Sequence, residues 1–167
     1  GVSRKSRKTK RPKSSCFPTM TETLDQSRRG VLAGGNFIID QVKRIPHWPE
    51  QESLVPILSR SKTNGGGPYN LLKDLARMEA GFPLAAVGLL GEDEEARFIR
   101  QDLERHGIDP SRMRSTDQAA TSITDVMTLK EGGQRTFFHD KGANAFLDTA
   151  HFDFSGSEHR IFYLGYL

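Results

Sequence analysis

Asp40 closes an apolar run, Gly65 and Gly66 stand five and four residues ahead of Asn70, and Gly142-Ala143-Asn144 follows a segment that opens on Gln134 and Arg135. Carboxylates and carboxamides recognise a polyol, because each can make paired hydrogen bonds to neighbouring hydroxyls. An aspartate at the C-terminal end of a strand also stands where open α/β sheets bind ligands. Each residue has a plain structural use as well. Asp40 could form a turn, Gly65-Gly66 could be a loop, Asn70 could be a solvated helix residue, Gly142-Ala143-Asn144 could be a simple turn, and Gln134-Arg135 a solvated strand edge.

Several other chemistries find no motif here. There is no GxxxxGK[ST] phosphate loop, and Gly34-Gly35-Asn36 lacks the later glycine of a dinucleotide fingerprint. GxSxG, HExxH and CxxC are missing, the five histidines lack ligand spacing, and the single Cys16 excludes an internal disulfide or a multi-cysteine metal site. The acids at residues 92–95 read as a solvated helix start.

The elements that must position these residues follow from hydropathy. Residues 31–40 form an apolar run broken by two glycines, consistent with one buried first strand. Residues 41–62, with Pro46, Pro49 and Pro56, suit short strands and turns at a sheet edge. The turn cluster at residues 64–68 feeds a helix over residues 69–80, with Leu71, Leu72, Leu75 and Met78 at helical spacing. FPLAAVGLL, residues 82–90, reads as a buried parallel strand. A second helix follows, with acids in its first turn, Ala96, Ile99 and Leu103 on one face, and Gly107 as its stop. Residues 122–130 and 134–140 around Glu131-Gly132-Gly133 make the strongest hairpin signal, and IFYLGYL at residues 161–167 reads as another buried strand. The alternation implies βαβ units with right-handed crossovers.

In this order and at these intervals, G…D, GG…N, G.D and T…G.R…GAN resemble the PfkB/ribokinase family of carbohydrate kinases over residues 31–167. The resemblance implies a ribokinase-like α/β fold: an open, mostly parallel sheet with helices on both faces and a small antiparallel β lid, at about residues 41–64 and 112–140. It implies ATP-dependent phosphorylation of a sugar hydroxyl, with ATP and Mg2+ bound mostly outside this chain. Exposed edges of the lid sheet would in addition invite pairing into a homodimer. By the same resemblance Asp40 binds sugar hydroxyls, Gly65 and Gly66 let the backbone approach the sugar, and Asn70, Arg135 and Asn144 also face the substrate. The catalytic base would lie in a GxGD segment beyond Leu167. Gly88 to Asp93 echoes that motif at the wrong point in the order and is not assigned to it. Ile38, Gly67, Pro68 and Ala96 depart from the family pattern and leave the sugar open, with a nucleoside kinase of the same superfamily as an alternative.

Composition bounds the rest. With 35% apolar and 27% charged residues the chain suits one core, and it has no apolar run near the roughly 18–20 residues a membrane span needs. Seven of the 24 basic residues fall in residues 1–19 with no acid, leaving 17 basic against 21 acidic in the remainder, a net of −4. Residues 1–30 therefore read as a disordered basic tail, which could serve nucleic-acid binding, nuclear or organelle targeting, or nothing beyond extension. A truncated, non-catalytic binding module guided to nucleic acid by that tail is a second functional class. Cytoplasm is the default location. The chain stops inside its last apolar strand, so the C-terminal half of the domain is expected to be missing.

Overall fold

The computed structural model describes residues 28–166. The basic segment at residues 1–19, Cys16, and the nucleic-acid and targeting readings attached to them lie outside the described residues.

LAAVGLL forms β4 (Leu84–Leu90), in which every residue is buried, as expected of a strand covered on both faces. It pairs in parallel with β1 (Val31–Gly34) on one side and β5 (Ile108–Ser115) on the other. β8 (Ile161–Leu164) pairs in parallel with β1, giving the order β5-β4-β1-β8. The register sets Val31, Ala33, Leu84 and Ala86 on one face, in the main core with Tyr69 and Leu72 of α1 (Gly67–Arg77) and Ala96, Ile99 and Leu103 of α2 (Glu94–Arg105). Leu32, Ala85 and Val87 point the other way and meet Phe152. Both α-helices thus cover one face among the described residues, although helices on both faces were expected. The chain steps β1→β4→β5 in a single direction, and right-handed crossovers taken in one direction fall on one side.

A second sheet stands apart from this one, ordered β3-β2-β6-β7. β2 (Ile38–Ile45) runs antiparallel to β3 (Ser59–Gly65) and parallel to β6 (Ile123–Leu129). The hairpin expected around Gly132-Gly133 is present, with β6 antiparallel to β7 (Arg135–Asp140). This sheet carries the lid strands, beginning earlier than residue 41 on one side and later than residue 112 on the other. Residues 112–115 instead end β5.

Three sequence expectations are corrected. Residues 31–40 are not one strand: β1 ends at Gly34, and the chain passes through Gly35-Asn36-Phe37 into a different sheet. An apolar run records burial without recording which sheet buries it, so Asp40 lies inside a lid strand and not at the end of the first parallel strand. The strand at residues 161–164 is not buried; its side chains are 38–57% exposed, because an edge strand has a neighbour on one side only. β5 went unrecognised because IDPSRMRS is polar. Its two inward residues, Ile108 and Met113, are five apart, out of phase with simple alternation, and a bulge opposite Ala85 and Val87 restores them to one face.

Candidate substrate site at the junction of the two sheets

The chain crosses between the sheets at residues 35–37, and again where β3 runs through Gly65-Gly66 into α1. Asp40, two residues into β2, packs its carboxylate over Gly65, so that a Cβ placed on Gly65 would stand 2.9 Å from Asp40 Cγ. Gly66 takes φ 97 and ψ 146, a conformation that side-chain-bearing residues rarely adopt, and lies against the backbone carbonyl of Asn36. It is also the N-cap of α1. No side chain caps that helix, so the positive end of its dipole lies at this junction without a side-chain acceptor.

The cross-strand register places Asp40, Thr124 and His139 in one row on one face of the lid. Thr124 Oγ1 lies 2.9 Å from His139 Nδ1. Burial pushes the Asp40 carboxyl above the usual carboxylate range, and the positive charges of His139, when protonated, and Arg135 oppose this without cancelling it. A half-buried carboxylate with spare acceptor capacity, beside backbone held open by glycine, is suited to accept hydrogen bonds from hydroxyl groups.

The remaining expected residues are dispersed. Asn70 is exposed on the first turn of α1, where its backbone N–H donates to the Gly66 carbonyl at 3.0 Å. Arg135 shares the face of Asp40 but lies four residues along β7 from His139, roughly 13 Å at strand spacing. Asn144 is buried, and its Nδ2 donates to the Phe37 carbonyl at 3.0 Å. It therefore braces the crossing between sheets, and its side chain is not exposed beside Asp40.

Sequence reasoning passed over Asn36 and His139. Asn36 is 7% exposed, and its Oδ1 has no partner among the described residues. A carboxamide following two glycines inside an apolar run was the available signal. It also read residues 92–95 as solvated, whereas Asp93 caps α2 through Ala96 N at 2.8 Å and clasps Thr121 through its backbone N at 2.6 Å and its Oγ1 at 2.7 Å.

A parallel α/β sheet joined to a second sheet through glycine-bearing crossings, with a carboxylate seated on one of them, is the architecture of a two-sheet α/β domain with its candidate site at the joint. The chain belongs to the pfkB family carbohydrate kinases, whose pattern matches residues 33–162. It is 32% identical over 105 residues to the 2-dehydro-3-deoxygluconokinase of Bacillus subtilis, covering 62% of this chain and 32% of that protein. A nucleoside kinase of Methanothermobacter thermautotrophicus is 28% identical over 120 residues, covering 72% of this chain and 38% of that protein. The fold is shared with Arabidopsis thaliana ribokinase, solved in complex with ribose and ATP, at TM-score 0.61 and 23% identity over 70% of this chain and 37% of that one. The chain thus spans about a third of the length of these relatives.

The family implies ATP and a divalent metal. No group of three or more His, Cys, Asp or Glu able to hold a metal occurs among the described residues, and the sequence has no phosphate loop. Among the described residues no helix is long and apolar enough to cross a membrane.

Proposed function

We propose that this chain supplies the acceptor-binding and lid part of an ATP-dependent carbohydrate kinase. The observation that carries the reading is the Asp40 carboxylate, partly desolvated and seated on Gly65 where the lid joins the parallel sheet. In this reading Asp40 accepts hydrogen bonds from two hydroxyls of the sugar, the Gly65-Gly66 backbone lies along the ring, and Asn70 donates from the first turn of α1. The lid sheet covers the acceptor and excludes water, so that the phosphoryl group goes to the sugar and not to solvent. ATP is the phosphoryl donor. The base that removes the hydroxyl proton, the nucleotide site and any Mg2+ site would lie in the part of the relatives' length that this chain does not span.

The reading keeps cytoplasm as the default location of this activity. The lid also supports pairing between subunits: β3 and β7 are free edges, and Phe137 and Phe138 are 59% and 54% exposed. Light scattering of the full-length protein that reads only monomer removes the dimer.

The test is phosphorylation kinetics of the full-length protein with ketodeoxygluconate, fructose, ribose and adenosine as acceptors. Hydrogen bonds to a charged group contribute about 1.5–3 kcal/mol each. Asp40→Asn is therefore expected to lower kcat/KM for the true acceptor by about 100-fold or more, and Asn70→Ala by about tenfold. Unchanged kinetics in both variants would sink the site assignment. Adenosine as the preferred acceptor would move the reading to a nucleoside kinase, and no turnover of any acceptor would favour a non-catalytic module.

A further inference from the structure

Behind the proposed acceptor site, on the side away from the lid row, lies a partly buried polar cluster that the site does not use. Asp102, in the third turn of α2, directs one carboxylate oxygen, Oδ2, at donors from two other elements. Asn64 Nδ2 donates to it at 3.1 Å, Tyr69 donates its phenol O–H to it, and Lys73 Nζ lies 3.5 Å away. Lys73 also donates to the Tyr69 hydroxyl and stands 4.9 Å from the centre of its ring. His106 Nδ1 is 3.8 Å from the same oxygen and donates its N–H to the Asp102 backbone carbonyl at 2.7 Å.

The placement of the two donors matters more than their number. Asn64 immediately precedes Gly65, and Tyr69 immediately precedes Asn70. Both are buried, at 8% and 2% exposure. One carboxylate oxygen thus holds both ends of the Gly65–Pro68 segment, the stretch that carries the two glycines and delivers Asn70. Gly65 is also paired with Ile38 of β2 and Pro68 is buried, but no side chain caps α1, so Asn64 and Tyr69 supply the side-chain anchors at the two ends of the segment. Asp102 touches neither Asp40 nor the lid row, so its influence on that site runs through Asn64 and Tyr69.

We propose that Asp102 is a positioning residue for the acceptor site, setting the Gly65-Gly66 turn from behind by bracketing it between Asn64 and Tyr69. This rests on the carbohydrate-kinase reading, so its test includes a measurement that needs no activity. The carboxylate is suited to the task. Burial works against its ionised form, but the hydrogen bond from Tyr69 and the charges of Lys73 and protonated His106 outweigh that and hold its pKa below the usual carboxylate range. The same contact and burial push the Tyr69 phenol well above its ordinary value, so it stays a donor.

The experiment compares wild type, Asp102→Ala, Asp102→Asn and Tyr69→Phe in the full-length protein. Backbone hydrogen exchange is read peptide by peptide, and steady-state kinetics are read with acceptor and ATP varied separately. Asp102→Ala is expected to speed exchange locally over residues 64–70. It should raise the acceptor KM by roughly tenfold to a hundredfold, the range for misplacing a binding group by about an ångström, with the KM for ATP unchanged. Asp102→Asn keeps an acceptor oxygen and should recover most of both effects. Tyr69→Phe, which keeps the packing and loses one donor, should fall between wild type and the alanine variant. Faster exchange spread evenly over the chain with wild-type acceptor KM would overturn the proposal, as would wild-type exchange at residues 64–70 in Asp102→Ala. If no acceptor is turned over by the wild type, the kinase reading fails, while the local exchange at residues 64–70 still decides whether Asp102 sets the turn.

Discussion

Two adjacent glycines at the junction should fail in different ways when each is replaced by alanine. Gly66 holds φ 97 and ψ 146, and a Cβ there would stand 3.1 Å from the Asn36 carbonyl carbon and 3.4 Å from Phe37 Cα, with the Asn36 oxygen nearer still. Everything it meets is backbone, at the point where the chain changes sheets, and backbone cannot rotate aside. Strain of about 1–3 kcal/mol from the dihedrals adds to about 1–3 kcal/mol of overpacking. Gly66→Ala is thus expected to lose about 4 kcal/mol, a large share of the roughly 5–15 kcal/mol that stabilises a folded protein. At a urea m-value of about 3 kcal/mol/M the midpoint falls by about 1.3 M.

Gly65 is not in the left-handed region, and what a Cβ there would meet is the Asp40 carboxylate, the free end of a side chain. Gly65→Ala should therefore cost less than about 1 kcal/mol of stability, since the carboxylate can swing away. Because that carboxylate is the proposed acceptor ligand, its displacement should lower kcat/KM by roughly 100-fold. Gly133→Ala separates dihedral strain from crowding: its φ is 66 and a Cβ would meet nothing within 4 Å, so about 1–2 kcal/mol is expected. The assays are urea unfolding of all three variants and acceptor-saturation kinetics of Gly65→Ala. The reasoning fails if Gly66→Ala unfolds at the wild-type midpoint, or if Gly65→Ala is badly destabilised while its kinetics are unchanged.

Two carboxylates shifted in opposite directions predict opposite pH behaviour. Asp40 has its pKa raised by burial, so its contribution to stability is greatest below the unfolded value and is lost as pH rises through the folded one. Asp40→Asn should therefore be more stable than wild type at pH 7, with the difference shrinking as unfolding is followed into the acidic range. For Asp93 burial is the largest influence and raises the pKa, but hydrogen bonds from the Thr121 and Ala96 backbone N–H groups and the Thr121 hydroxyl together prevail and lower it. Its stabilisation is thus present above the unfolded value and lost as pH falls through the folded one. Asp93→Ala removes a helix cap of about 1 kcal/mol and leaves buried Thr121 groups unpaired at about 1–3 kcal/mol. A loss near 3 kcal/mol at neutral pH is expected by urea unfolding, diminishing toward acid, and a loss independent of pH would contradict the assignment.

What could be read from sequence followed from how completely each segment is enclosed. β4 was legible because both its faces are covered, which forces a continuous apolar run. α2 was legible because one face is buried and Ala96, Ile99 and Leu103 repeat at its period. The β6–β7 hairpin was legible because Gly132 and Gly133, at φ 74 and 66, must stand where a tight turn needs them. β5 was hidden because it is polar and bulged. The break after Gly34 was hidden because both sheets bury their strands with the same residue types, and period alone cannot name the partner sheet. Of the proposed site, Asp40 and the two glycines could be found through the residue types and order that carry the family resemblance. The convergence of Asn64, Tyr69 and Asp102 could not, since α2 reaches them from more than 30 residues away.

The distribution of unpaired polar atoms bears on where function belongs in this chain. Buried polar groups are nearly always hydrogen-bonded, so each exception needs a reason. Among the described residues the side-chain oxygens of Asn36, Asn64 and Asn144 are buried without partners, while Thr128 and His159 supply the other two such atoms. The three asparagines share one region: Asn36 lies on the first crossing between sheets, Asn144 holds the Phe37 carbonyl of that crossing, and Asn64 opens the second crossing beside Gly65. A rigid core would exchange such residues for apolar ones of similar size, since a buried acceptor without a donor costs about 1–3 kcal/mol. Their concentration at the joint, alongside a Gly66 backbone conformation suited to glycine, fits the proposal that this segment receives a hydroxyl-bearing ligand. It supports the proposed division of labour, in which α2 holds the joint from one side through Asp102 while β2 presents Asp40 from the other.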